Sequence, residues 1–387
     1  MERLNLVTGA FGFSGSYVVR NLLRRGERVL ATDLASNLND QETREILESI
    51  GLDFNDPNLE LIPSDLLDEQ SIKELFEYPV THIFHTASLY DYSAEYELLR
   101  RVNVEGTRKF VKYAMECDTL EHFIHWSTCG VFGKPFPAAK GKKANIPFNE
   151  DCSSPKNTEG DGPEGSYLVN DYSITKWEQE QMIWNYYNEY NFPVTVVRPA
   201  PIYGPGSNYG HGGIILVIAH GLLPVIPADS KNYITASVHV EDVARFAIFA
   251  SERPELIGED FNIVDNSIIS YHEFLHYIAL LTGRKMHDIP FVTMSALYPI
   301  MANAALLWTK LQQNFGIPRV KVFEIQSAEY VSSSYWLSNR KTLQTGFEYL
   351  YPDVREGLKD TVAWFREMSW LTDISKIFVS GGSTAKT

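Results

Sequence analysis

The sequence predicts an α/β fold: a doubly wound parallel sheet covered by helices on both faces, followed by a smaller, mostly helical C-terminal substrate lobe. Three observations carry this reading. Short apolar β runs alternate with amphipathic helical stretches through the first two hundred residues. A glycine-rich turn, "TGAFGFSG", joins the first run to the first helical stretch. After Arg198 the alternation stops, and Gly, Pro and aliphatic residues take over.

The elements follow in order. Leu4–Thr8, Arg28–Thr32, Leu59–Ile62, His82–His85, His122–Trp126 and Val194–Arg198 are the strand candidates. Such short, largely apolar runs suit strands buried on both faces of a parallel sheet. Ser14–Arg25, Ser71–Glu77 and Tyr96–Glu116 are the helical stretches between them. Lys134–Gly165 holds Pro135, Pro137, Pro147, Pro155 and Pro163 without periodicity, so it is expected as a long surface loop, either functional or an inserted flap. A helix at Val240–Ser251 and a strand at Asp260–Val264 return to the sheet. The expected division is a sheet domain over 1–200 with 238–265, a lobe over 201–237 and 266–375, and a disordered tail over 376–387, which ends in "SGGSTAKT".

Composition bounds the function. The chain has 387 residues, 44% of them hydrophobic and 21% charged, enough for one large domain or two interlocked ones. A net charge of −15 argues against a nucleic-acid partner, which would want a basic face. Cys117, Cys129 and Cys152 are odd in number and scattered, which fits a reducing compartment and no disulfide framework. Met1 leads straight into the first strand, so the expectation is a cytoplasmic protein without a signal peptide. Residues 289–309 carry no charge but include Pro290, Thr293, Ser295, Pro299 and Asn303. This stretch is expected as a buried or interfacial helix, with peripheral membrane contact open to it, rather than a span.

The turn points to a cofactor. Gly9, Gly12 and Gly15 form G-x-x-G-x-x-G between a strand and a helix. The first permits the tight turn, the second lets backbone approach a pyrophosphate, and the third lets the helix pack with its positive N-terminus at the phosphates. Asp33, about 20 residues on and at the end of the second strand, suits the adenosine ribose hydroxyls and repels the extra phosphate of NADP, which selects NAD. Asp65 and Leu66 follow the third strand, within reach of the adenine edge. Thr86, Ala87 and Ser88 follow the fourth, small enough to lie along the cofactor. Phe11 and Phe13 in the turn, and Pro199 and Ile202 after the sixth strand, complete the expected cofactor-binding set.

Residues 170–180 read "NDYSITKWEQE", with Tyr172 four residues before Lys176 on one helical face. The strand His122–Trp126 runs into Ser127 and Thr128, whose hydroxyls would face the same crevice at the carboxyl ends of the strands. "TGAFGFSG", "DL" at 65–66, "NVEGT" at 103–107, "STCGVFG", "YSITK" and "VVRPAPIYGPG" stand in one order. Across at least residues 3–265 the chain resembles the extended short-chain dehydrogenase/reductase family. The resemblance implies a Rossmann-type fold and a site in which Tyr172 is the general acid/base. Lys176 would hold the nicotinamide ribose and, with the positive nicotinamide ring, favour the phenolate of a phenol that titrates near ~10 when free. Thr128 would hydrogen-bond the reacting oxygen; the family's register before Val131-Phe132-Gly133 selects it over Ser127. Asn103 would order a water or the helix that carries it. Homodimers are common among similar proteins.

Substrate class is read from what the lobe lacks. Between Arg198 and Arg245 there is no arginine and one lysine, Lys231, whereas a sugar diphosphate calls for cations. Ala200-Pro201 stands where nucleotide-sugar relatives commonly carry an asparagine. "GGIILVIAHGLLPVIP" and "FVTMSALYPIMANAALLW" are apolar instead, which looks more like the 3β-hydroxysteroid dehydrogenase branch. The expected partner is an apolar secondary alcohol or ketone, sterol-like or otherwise lipid-like. Decarboxylation or isomerisation of a neighbouring group is compatible with the same site. The alternatives are a nucleotide-sugar epimerase or dehydratase that retains its NAD, and a non-catalytic dinucleotide-sensing protein, a class that tends to lose the tyrosine. "HEFLH" at 272–276 matches a zinc-protease pattern, but no third ligand stands at a recognised spacing, so no metal is expected.

Asp33→Ala is expected to narrow the preference for NAD over NADP, measured as the ratio of the two dissociation constants; an unchanged ratio would remove the ribose contact from the argument.

Overall fold

A computed structural model of the protein describes residues 2–92, 94–135, 146–152, 166–168, 170–315 and 334–378. Its centre is a seven-stranded parallel sheet: β1 (Leu4–Thr8), β2 (Arg28–Asp33), β3 (Leu59–Pro63), β4 (His82–His85), β5 (His122–Trp126), β6 (Val194–Pro199) and β7 (Asp260–Ile263). The spatial order is β7-β6-β5-β4-β1-β2-β3. The chain adds strands outward from β1 in one direction, then crosses back to β4 and builds the other way. A crevice opens at that reversal, at the carboxyl ends of β1 and β4, and ligands of such sheets bind there.

Both sheet faces are covered, which explains the unbroken apolar strands. Leu6, Ile83 and Phe123 face one core with Phe110 and Ile183. Their neighbours Val7, Phe84 and Ile124 face the other, with Val18, Leu22 and Phe246. The second core is closed by the helix Val240–Ser251, which packs on the helix Phe13–Arg24 and is tied to it through Arg20 and Glu241. The segment after residue 237 thus returns to the sheet.

Three sequence expectations change in detail. The stretch Tyr96–Glu116 is not one regular helix: Tyr96–Arg100 passes through a π turn, Arg101–Gly106, into Thr107–Met115. Gly106 lies so close to Leu66 that a Cβ there would stand 2.8 Å from the Leu66 Cβ. Within Lys134–Gly165 the described residues are not a surface loop. Phe148 and Cys152 are buried, and the Phe148 N–H donates to the Trp336 carbonyl at 2.8 Å. Lys134–Pro135 pairs with Ser166–Tyr167, while 136–145 and 153–165 lie outside the described residues. At the other end, Ile377 is buried and Lys376 reaches Glu42, so 376–378 belong to the fold; 379–387 lie outside the described residues.

In the lobe, the uncharged stretch forms the helix Met294–Phe315 with Pro299 inside it. Met294 and Ala305 are buried, whereas Phe291, Ile300, Leu307 and Phe315 are exposed. Among the described residues no helix is long and apolar enough to cross a membrane.

A buried ion cluster fastens the edge of the sheet. Arg198, at the end of β6, donates Nε to both Glu180 oxygens at 3.1 Å, and its Nη1 lies 2.6 Å from Asp260 of β7. Lys341 adds a second cation to Asp260 at 2.8 Å. Arg198→Leu would leave the buried Glu180 carboxylate without its cation and the half-buried Asp260 with Lys341 alone. It is expected to lower the unfolding free energy by about 3–5 kcal/mol, measured by urea denaturation; a loss under about 1 kcal/mol would mean the carboxylates find other partners.

Candidate active site

The glycine turn is shaped for close approach. Gly9 has φ of 65°, and a Cβ on it would stand 2.9 Å from the Ala87 backbone. A Cβ on Gly15 would collide with the Gly9 carbonyl oxygen at 2.2 Å. Gly12 starts the helix Phe13–Arg24 with no side-chain cap, which leaves first-turn N–H groups for an anion. Asp33 sits beside the turn: Oδ2 accepts from the Phe11 N–H at 2.9 Å, and Oδ1 accepts from Leu34 and Asn37. A carboxylate has about four acceptor sites, so capacity remains for ribose hydroxyls. Phe11 therefore serves the turn through its N–H. Its ring is buried against Phe54 rather than presented to a ligand.

The other expected contacts divide. Thr86 and Ala87 lie on the turn: Thr86 Oγ1 donates to the Thr8 carbonyl at 2.6 Å, and the Ala87 N–H donates to Thr8 Oγ1 at 3.2 Å. Asp65 is exposed next to Ser64, whose N–H donates to the Asp33 carbonyl at 3.0 Å. Leu66 is buried against Gly106, with its side chain in the core on that face of the sheet. Phe13 makes an edge contact with Tyr17, at 5.9 Å between ring centroids. Pro199 ends β6, and Ile202 pairs with Val238 in a short two-stranded ladder.

Asn103 is fully buried in the π turn. Its Oδ1 accepts from Ser88 Oγ at 3.0 Å and from the Leu89 N–H at 2.7 Å, and its Nδ2 donates to the Leu89 carbonyl at 3.2 Å. Nδ2 also reaches Thr175 Oγ1 at 3.4 Å. With both ends of the amide committed to protein, Asn103 is a positioning residue, not a group that touches substrate. It ties the turn after β4 to the helix Asp171–Tyr190. Ser88 likewise spends its hydroxyl on Asn103.

That helix begins at Asn170, whose side chain accepts from the Ser173 N–H at 2.8 Å. Tyr172 is on its first turn, with its ring 4.8 Å from that of Tyr90 and 5.7 Å from that of Tyr92. Tyr209 closes the group, 5.1 Å from Tyr90. Lys176, one turn on, is 2% exposed; its Nζ donates to the Trp126 carbonyl at 2.7 Å and to Gln179 Oε1. Burial lowers it from the usual lysine value of 10.5 to about 7, against the pull of Glu180. Ser127 is excluded as a substrate group, because its hydroxyl donates to Glu180 at 2.5 Å. Thr128 is only half-buried and caps the following turn, its Oγ1 accepting from the Gly130 N–H at 3.1 Å.

Two parts of the site escaped sequence reasoning. The tyrosine group was signalled weakly, by Tyr90 and Tyr92 two residues apart just beyond Ser88. The second part is a buried polar chain. Gln179 Nε2 donates to Thr107 Oγ1 at 2.7 Å, His85 Nε2 lies 2.9 Å from the same oxygen, and His85 Nδ1 lies 3.0 Å from Thr8 Oγ1. Burial holds His85 neutral, near a value of about 3. Nothing local in the sequence links positions 72 residues apart such as Thr107 and Gln179.

The residues present fit NAD: an uncapped helix start, a glycine turn that tolerates no Cβ, and a carboxylate beside it. Comparison with known proteins agrees. Residues 5–264 match the sequence pattern of the NAD dependent epimerase/dehydratase family. UDP-N-acetyl-alpha-D-glucosaminuronate decarboxylase of Bacillus cytotoxicus is 26% identical over 95% of this chain and 99% of its own. Sterol demethylase protein B of Methylococcus capsulatus is 27% identical over 94% and 98%. In structure, the UDP-glucose 4-epimerase of Thermus thermophilus, solved with NAD, superposes with a TM-score of 0.64 at 21% identity, covering 94% of this chain and 99% of that one. At that identity the likeness is one of fold.

Because the folded protein holds Lys176 with a lowered proton affinity, the unfolded chain binds more protons between pH 7 and 10.5. In the cofactor-free protein, the unfolding free energy of wild type minus that of Lys176→Met should therefore rise with pH across that window. The slope is at most about 1.4 kcal/mol per pH unit. A flat difference by chemical denaturation would show that Lys176 keeps its charge.

Proposed function

The chain belongs to the NAD dependent epimerase/dehydratase family, and from that premise we propose that it is an oxidoreductase interconverting a secondary alcohol and a ketone on an apolar, sterol-like or other lipid-like substrate. What supports the reading is that Lys176 donates to the Trp126 carbonyl at the carboxyl end of β5, two residues before Thr128, while Tyr172, one turn earlier on the same helix, packs against the rings of Tyr90 and Tyr92.

Gly9, Gly12 and Gly15 would hold the pyrophosphate of NAD and Asp33 its adenosine ribose, with Lys176 at the nicotinamide ribose. Bound NAD supplies the hydride acceptor, or as NADH the donor. Tyr172 takes the hydroxyl proton of the alcohol, or returns it to the ketone oxygen. Lys176 stabilises the tyrosine oxygen when it is anionic. An ammonium has three donors, and Trp126 and Gln179 take two, leaving the third for the cofactor side. Thr128 hydrogen-bonds the reacting oxygen and fixes its distance from Tyr172.

The apolar reading of the substrate rests on the ring group Tyr90, Tyr92 and Tyr209 around Tyr172, and on the absence of arginine between Arg198 and Arg245. Both curated relatives are named for loss of a carbon substituent. That favours a coupled step: once an alcohol has become a ketone, a carboxyl group on the adjacent carbon leaves as CO2, its bond electrons delocalising into the enolate. The nucleotide-sugar reading is kept as the second, because one of those relatives acts on a UDP sugar by name.

Tyr172→Phe should lower turnover by about 10²-fold or more while the NADH dissociation constant stays within about twofold; unchanged turnover would remove Tyr172 from the chemistry. Hydroxysteroids and their 4-carboxylates screened against UDP sugars, following NADH absorbance and CO2 release, decide the substrate. Turnover of UDP sugars alone would overturn the apolar reading.

A further inference from the structure

The fold supplies what the "HEFLH" motif lacked in sequence. His272 and His276 lie one turn apart on the helix Tyr271–Leu281, and both turn Nε2 to the same side. There they meet Asp288, from the short strand His287–Ile289, which is held in place by pairing with Val225–Pro227. His272 Nε2 is 2.9 Å from Asp288 Oδ1 and 3.1 Å from Oδ2, and His276 Nε2 is 2.9 Å from the same Oδ1. The three ligand atoms all lie within 4.8 Å of one another.

We propose that His272, His276 and Asp288 form a binding site for a divalent transition-metal ion, with zinc as the best match. Zinc takes imidazole nitrogen and carboxylate oxygen at about 2.0–2.2 Å in a tetrahedron, which separates neighbouring ligand atoms by roughly 3.4 Å. The two histidine–aspartate pairs need only open by some tenths of an ångström to admit the ion between them. Each group is partly exposed, with side-chain exposures of 25%, 34% and 46%, so solvent gives a path of entry and a water for the fourth position. Two imidazoles and a carboxylate match zinc, cobalt or nickel, whereas calcium and magnesium want oxygen ligands.

The site is not a hydrolytic one. Glu273, which would be the base in a zinc protease, is committed to the helix start: its Oε2 accepts from the Ser270 N–H at 3.0 Å and from Ser270 Oγ at 2.9 Å. The ion instead acts as a fastener. It joins the helix Tyr271–Leu281 to the strand that leads, within five residues, into the apolar helix Met294–Phe315. The start of that helix is itself pinned, with the Met294 N–H donating to Asp229 at 2.9 Å. Metal occupancy therefore stiffens the connection on which the helix Met294–Phe315 is mounted.

The test uses full-length protein, freed of metal with a chelator and then titrated with Co²⁺ and separately with Zn²⁺. One equivalent of Co²⁺ per chain should give visible ligand-field absorption that Zn²⁺ abolishes, and Zn²⁺ should raise the Tm. His276→Ala and Asp288→Asn, checked by circular dichroism for retained fold, should each weaken binding at least about tenfold, since loss of outer partners alone costs that much. Co²⁺ absorption or a Zn²⁺-dependent Tm that both variants retain would overturn the proposal. So would the lack of either signal in wild type, leaving the three side chains an ion pair.

Discussion

One buried lysine organises the site. An isolated charge inside a protein is costly, and it persists only where hydrogen bonds and fields compensate. Lys176 is held by the end of β5 and by Gln179 on its own helix, with Glu180 as the nearest opposing charge. Gln179 is in turn held by Thr107, which meets His85, which meets Thr8, whose hydroxyl accepts from Ala87. The polar chain thus runs from the helix Asp171–Tyr190 to the glycine turn. A shift of the helix Asp171–Tyr190 that breaks the Lys176 contacts would loosen the turn as well.

The next turn of the same helix is anchored differently. Glu180 takes the Arg198 guanidinium and the Ser127 hydroxyl, so one carboxylate joins the helix to the ends of both β5 and β6. Ser127 and Thr128 are adjacent, yet one donates to Glu180 and the other accepts from the Gly130 N–H to cap the following turn.

Much of this was legible in the chain. The inner strands could be read because they are buried on both faces, and Val240–Ser251 was recovered to the residue because its apolar positions recur at helical spacing. Gly9, Gly15 and Asp33 were legible because only those residue types satisfy their positions. The remainder depended on tertiary contacts. The side-chain packing of Leu66 and Phe11 had no local signal, because it is decided by what Gly106 and Phe54 bring near. Asp288 had no signal at all; its approach to His272 depends on a two-stranded ladder that no periodicity announces.

The π turn at Arg101–Gly106 has a consequence for how such a chain can change. A π turn amounts to one extra residue within an otherwise α-helical path, and each residue advances a helix by about 100°. Loss of that single residue would restore ordinary winding, and at the same time swing Thr107 and Phe110 about a quarter-turn away from their present neighbours. Thr107 would leave His85 and Gln179, and Phe110 would leave the sheet. A deletion of one residue at this point therefore disturbs the buried polar chain and the core on that sheet face together.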